Sequence, residues 1–187
     1  MYKETRMAKF FGNCSSIIDW DKIIKKCEKT SPEYVGPGKG MDNDIPQLRE
    51  INEIWRKWYD RFDNGGTVAW DMYFPGKQWN QEDADRFWDF VGITEPVSMW
   101  ISKINPGCFA PIHWDVQSNE NEYTEDHYRR FHCHITNPKF GHFFVVDDVA
   151  FYNEEKGNVY EWQSRKSWHA GSNCGLEPKY LLNAFGK

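Results

Sequence analysis

Apolar side chains recur along this chain with two different periods. From 19 to 29, Trp20, Ile23, Ile24 and Cys27 stand at i, i+3, i+4 and i+7, one stripe of a short helix with Asp19 placed as its N-cap. From 46 to about 62, Leu48, Ile51, Trp55, Trp58, Tyr59 and Phe62 make a broader apolar face, Pro46 suits the first helical position, and Asp63, Asn64, Gly65 and Gly66 end the run. A third helix is predicted over 81–90, capped by Asn80, with Phe87, Phe90 and Val91 inward. From Val97 onward the period shortens and β-branched and aromatic residues alternate between turn residues. Strands are predicted near 97–104, 130–136, 142–147, 149–153, 158–163, 167–171 and 179–185, with Asp147 and Asp148 at a hairpin tip. The expectation is a single domain over 1–187. A helical scaffold from 1 to 95 braces a mainly β core from 96 to 187, built as a barrel or sandwich. The polar run 117–126 reads as a mobile loop that could close over a substrate.

Composition narrows the partners. The chain has 187 residues, enough for one core, and its ten Trp, nine Tyr and thirteen Phe make large rings the main source of buried area. With 23 basic against 28 acidic residues there is no excess of positive charge for a phosphate backbone, so nucleic acid is not expected as a partner. The five cysteines (14, 27, 108, 133, 174) form no CxxC pair, which points away from a disulfide framework or a thiolate zinc site and towards a reducing compartment. Charges are scattered through the first thirteen residues and no eighteen-residue apolar run occurs, so a soluble cytoplasmic protein without membrane contact is expected.

Candidate chemistry lies in the second half. In Pro111-Ile112-His113-Trp114-Asp115 an extended backbone puts His113 and Asp115 on one side, where they can chelate one ion. A third ligand is available in His169, on a predicted strand followed by Ala170, Gly171 and Ser172. Two imidazoles and one carboxylate on one face of an ion leave the opposite positions open. Non-haem iron(II) uses this facial triad to bind a co-substrate and O₂. An HxD triplet arises by chance often enough that its neighbours must decide. Lys179, ten residues after His169, begins the apolar strand Tyr180-Leu181-Leu182-Asn183-Ala184-Phe185, where a lysine has little reason to point inward unless it meets an anion such as a dicarboxylate co-substrate. In Arg130-Phe131-His132-Cys133-His134-Ile135 the polar residues share one face and the apolar residues the other, so the polar face either meets water or lines a cavity. Two other readings stay open: a zinc enzyme using His132 and His134, and a cupin-like protein that binds metal and ligand without oxidation.

Taken in order, Ser102, Asn105-Pro106-Gly107, His113-Trp114-Asp115, Arg130 to Ile135, Asn137-Pro138-Lys139, Gly157, His169 and Lys179 resemble the iron(II) and 2-oxoglutarate oxygenases of the aspartyl/asparaginyl β-hydroxylase type, with the free-proline hydroxylases that share the pattern. The resemblance spans Val97 to Phe185, about half of the chain. It implies a double-stranded β-helix (jelly-roll) with iron(II) held by His113, Asp115 and His169. It also implies that Ser102, His132 and His134 contact 2-oxoglutarate while Lys179, at a position usually occupied by Arg, pairs with its far carboxylate. Lysine keeps the charge and gives up the bidentate fork. The expected reaction is hydroxylation of a C–H bond in an amino acid, a peptide or protein side chain, or another small molecule. Trp100, on the strand face of Ser102, is a candidate pocket wall as well as an ordinary core residue. Arg130 is a candidate grip for a substrate carboxylate as well as a surface arginine.

Overall fold

The computed structural model describes residues 8–36, 69–113, 128–137, 139–162 and 167–187. The predicted helix over 46–62, the predicted loop 117–126 and the candidate ligand Asp115 lie outside the described residues.

Eleven described strands form two antiparallel sheets. They are β1 (Lys9–Asn13), β2 (Tyr34–Gly36), β3 (Trp70–Tyr73), β4 (Pro96–Ile104), β5 (Phe109–His113), β6 (Arg129–His134), β7 (His142–Val146), β8 (Val149–Phe151), β9 (Asn158–Trp162), β10 (His169–Asn173) and β11 (Lys179–Gly186). The larger sheet runs β1-β9-β6-β11-β4-β3-β2 and the smaller β5-β10-β7-β8. This is a double-stranded β-helix. The described helices are α1 (Trp20–Cys27) and α2 (Gln81–Val91).

The two helices form where the periodicity places them. Asp19 caps α1 by accepting from the Lys22 backbone N–H at 3.0 Å, while Lys25 and Lys26 complement the dipole of the last turn. Asn80 occupies the N-cap of α2 without bonding a backbone N–H; its amide joins Lys26 and Asp83 instead. The buried face of α2 is Ala84, Phe87, Trp88 and Val91. Phe90, expected inward, is only half-buried, because it meets Phe11 at the molecule's side rather than the centre of the core.

Three strands, β1, β2 and β3, arise within the first 95 residues, which periodicity alone reads as helical. They exist because the larger sheet offers partners: β1 adds to β9, and β3 adds to β4 with β2 beyond it. Most of β1 is exposed, so no buried face announces it. The extended backbone expected at His113 is the end of β5, which the predicted strands omit because Pro111 interrupts its ladder; Pro is tolerated there because β5 is an edge strand.

Strands β6 and β11 lie at the centre of the larger sheet and are covered on both faces. Phe131, Cys133, Ile135, Tyr180, Leu182 and Ala184 pack outward under the helices against Trp20, Ile23, Phe87 and Val91, and each such fully buried large side chain contributes about 1.5–3 kcal/mol. The opposite faces look into the space between the sheets. There Lys179 stands beside Ile104, Leu181 between Ser102 and His134, Asn183 between Trp100 and His132, and Phe185 between Ser98 and Arg130. From the smaller sheet, Phe144, Val146 and Phe151 face them, together with Trp162 of β9.

Candidate metal centre and its basic interior

His113 ends β5 and His169 begins β10, and the two are paired directly across the antiparallel ladder. Their ring centres are 4.3 Å apart. Two imidazoles bound to one ion at right angles, with metal–nitrogen bonds near 2.1 Å, would have centres about 4.5 Å apart. Each ring is fixed by the same local device. His113 Nδ1 lies 2.6 Å from the Pro111 carbonyl and His169 Nδ1 lies 3.0 Å from the Ser167 carbonyl. A carbonyl only accepts, so each Nδ1 carries the proton and each lone pair is at Nε2, the arrangement that suits metal ligation.

The strand carrying His169 is tied down from the β7–β8 hairpin. Asp147, at φ +52° in that two-residue turn, donates its backbone N–H to the Trp168 carbonyl and accepts the Trp168 N–H on its carboxylate at 2.9 Å. At the other end Asn173 donates to the carbonyls of Ile104 and Glu177 and accepts from Gly175 N–H, so it shapes the turn that leads to Lys179. Among the described residues no three His, Cys, Asp or Glu side chains form a metal-binding group. Asp115 lies outside them.

Behind the imidazole pair the interior is basic. Lys179 is 3% exposed; its amine donates to the Phe143 carbonyl and lies 5.6 Å from the centre of the Phe144 ring. Burial pulls its pKa from 10.5 down to about 7, and no carboxylate among the described residues offsets that fall. His132 is fully buried, boxed by the rings of Phe144, Phe151, Tyr160 and Trp162 at 4.6–5.1 Å. Burial, then the neighbouring His134, Lys179 and His169, hold it well below the usual imidazole range, and burial takes His134 to about 3. Among the described residues, both nitrogens of His132 and Nε2 of His134 have no hydrogen-bond partner. Leaving such atoms buried and unsatisfied costs about 1–3 kcal/mol each, which a core built for stability alone would avoid.

His132 and His134 also bear on the zinc reading. Their ring centres are 5.2 Å apart, but Cys133 projects from the opposite face, where its thiol meets Cys14, so it is not placed to join them around one ion. Lys179 adds electrostatic opposition to a cation there.

Other predicted positions are placed as follows. Ser102 is on the inward face of β4, half-buried, and accepts from the Trp100 indole N–H at 3.1 Å. Trp100 is likewise half-buried rather than an enclosed core tryptophan, with its ring edge on Phe185. Arg130 is not a surface arginine: it is 3% exposed, with its guanidinium 4.9 Å from the centre of the Phe185 ring. His142 is buried and uses Nε2 on the Glu177 carbonyl. Two residues escaped the sequence reading. Asn183 donates to Ser102 Oγ at 3.1 Å, and its place four residues after Lys179, the lone polar side chain inside an apolar strand, was the available signal. Trp70 lies nearly parallel to the His113 ring at 6.5 Å; nothing in the alternation around it marked it.

No family model matches the sequence, and no curated protein matches it. Among solved structures the chain is similar to the viral collagen prolyl hydroxylase of Paramecium bursaria Chlorella virus-1 in its 2-oxoglutarate complex, with 16% identity over 85% of this chain and 96% of that one and a TM-score of 0.42. It is also similar to a prolyl-4-hydroxylase of Pseudomonas putida, with 14% identity over 76% and 87% of the two chains and a TM-score of 0.43. A predicted oxalate decarboxylase of Thermotoga maritima matches at 13% identity over 63% and 79%, with a TM-score of 0.38. Identity this low leaves the chemistry to be read from the side chains.

Proposed function

We propose that the protein is an iron(II)- and 2-oxoglutarate-dependent oxygenase that hydroxylates a C–H bond of an amino acid, a peptide or protein side chain, or another small molecule. The observation that carries this reading is Lys179, a buried amine with no carboxylate partner among the described residues, in the same interior as two imidazoles whose Nδ1 protons are already committed. A dicarboxylate suits both ends of that interior. His113, Asp115 and His169 would hold the metal. Lys179 would pair with the far carboxylate, and Ser102, His132 and His134 would complete the ligand's hydrogen bonds. The orphaned nitrogens of His132 and His134 fit that role, since a ligand would satisfy them. Placement within the aspartyl/asparaginyl β-hydroxylase type is proposed on the ordered residues from Ser102 to Lys179.

Iron(II) bound there would supply the activation of O₂, coupled to oxidative decarboxylation of 2-oxoglutarate to succinate and CO₂. The chain's own residues do the rest. The Pro111 and Ser167 carbonyls keep His113 and His169 in the ligating tautomer, Asp147 steadies the backbone before His169, and the rings of Phe144, Phe151 and Trp162 keep water from the buried end. Iron-reconstituted protein should convert 2-oxoglutarate to succinate only in the presence of O₂. Absence of turnover, with or without added substrate, while 2-oxoglutarate still binds would leave a ligand-binding protein and refute the oxygenase.

A further inference from the structure

Ser102 has both lone pairs engaged, and among the described residues none takes its proton. The Trp100 indole N–H and the Asn183 side-chain amide each donate to Ser102 Oγ at 3.1 Å. A hydroxyl has two lone pairs and one proton, and an indole N–H can only donate, so the direction of the first bond is fixed by chemistry. With the second lone pair held by Asn183, Ser102 has only a proton to offer, and among the described residues no acceptor receives it. The placement is built into the strand register: Asn183 is opposite Trp100, and Ser102 is opposite Leu181, on the inward face that Lys179 begins.

Resting on the 2-oxoglutarate reading above, we infer that Trp100 and Asn183 are positioning residues that hold Ser102 as an obligate donor toward a carboxylate oxygen of the co-substrate. A carboxylate only accepts, so this arrangement favours it over any group that must donate. Asn183 is the residue through which the preference can be reversed: a carboxylate at 183 would accept the Ser102 proton and turn it away from the ligand.

The test is calorimetric titration of 2-oxoglutarate into the Mn(II)-loaded protein, with Mn(II) affinity and the melting temperature measured alongside. Asn183→Asp should weaken 2-oxoglutarate binding about tenfold or more, and leave Mn(II) affinity unchanged. Asn183→Ser, which keeps a donor, should stay within about threefold of the parent. In a Ser102→Ala background Asn183→Asp should cost less than about threefold, because the effect passes through the hydroxyl. Unchanged affinity in Asn183→Asp, or a tenfold loss that persists without Ser102, overturns the inference and leaves the oxygenase reading standing. Failure of the parent protein to bind 2-oxoglutarate overturns that reading and the inference with it. Should Asn183→Asp not fold, Trp100→Phe carries the same test: about threefold weaker binding that vanishes in the Ser102→Ala background supports the inference, and a loss that persists there overturns it.

Discussion

On the proposed function, Lys179 makes 2-oxoglutarate binding depend on pH in a direction that its burial sets. In the ligand-free protein its amine, with a pKa of about 7, is about nine-tenths charged at pH 6, about one-tenth at pH 8 and about one-hundredth at pH 9. A dicarboxylate binds the charged form, and 2-oxoglutarate is fully ionised throughout this range, so binding above pH 7 must bring a proton with it. Its Kd should therefore be nearly flat below pH 6.5 and rise about tenfold per pH unit above 7.5. A cavity of about 20 Å³ bounded in part by His134, His142, Glu154 and Lys179 has room for one water through which that proton can pass. Calorimetry of the Mn(II)-loaded protein at pH 8, in buffers of different ionisation enthalpy, should register close to one proton taken up per 2-oxoglutarate bound. Lys179→Met should flatten the profile at the weak, high-pH affinity. The same amine weakens the ligand-free fold. Its pKa is lower folded than unfolded, so the unfolded chain holds more protons between about 7 and 10.5 and stability rises with pH through that window. The displacement is worth on the order of 4–5 kcal/mol, felt in full below pH 7 and relieved in Lys179→Met. Binding without proton uptake at pH 8, together with a Kd independent of pH between 6 and 9, would refute the reasoning.

Other consequences are simpler to check. His132→Phe keeps the ring volume and removes two unsatisfied nitrogens, so it should raise ligand-free stability by about 1–2 kcal/mol in chemical denaturation while weakening 2-oxoglutarate binding. Asp147→Ala loses the carboxylate that accepts the Trp168 N–H and places Ala at positive φ; metal affinity, read by competition with a chelator, should fall about tenfold, with Asp147→Asn much closer to the parent. Gly157→Ala should destabilise by about 2–4 kcal/mol in urea, since φ is +90° and the new methyl would lie 2.8 Å from the Ser15 backbone nitrogen; a loss under 1 kcal/mol would mean that the β1 end yields easily.

How much of this was legible in the sequence depends on what holds each element in place. The alternation in 130–135 told the two faces of β6 apart correctly, because a central strand repeats its environment at every second residue. It could not tell whether the polar face met water or a cavity, and Arg130 shows the difference: its burial comes from the second sheet, which the local pattern does not record. Strands β1, β2 and β3 escaped notice because partner strands create them. Asn80 was found at the cap position, yet its side chain bonds Lys26, 54 residues away in sequence, which no local rule supplies. The pairing of His113 with His169 was predicted as chemistry, and its mechanical basis, a one-to-one register across β5 and β10, needed the sheet.

The interior's charge distribution separates the roles of its histidines. His134 and His132 stand near Lys179, so a cation placed among them would meet a like charge whenever the amine is protonated, and burial first, with Lys179 after it, holds both imidazoles below their usual range, which opposes added positive charge there. His113 and His169 are at the other end, beside β5, where Asp115 follows in sequence. Phe144 lies between, its ring 6.3 Å from that of His169 and 5.6 Å from the Lys179 amine. One end therefore suits a metal and the other an anion, with a single phenylalanine flanked by both. A ligand that satisfies the whole interior must present an acceptor to the metal and a second negative charge to Lys179. A monocarboxylate meets one demand and leaves the amine uncompensated, so 2-oxobutyrate should bind the Mn(II)-loaded protein far more weakly than 2-oxoglutarate. In Lys179→Met the two acids should converge, because the second carboxylate then has nothing to answer it. Equal affinity for both acids in the parent protein would dissolve the division of the cavity into two ends.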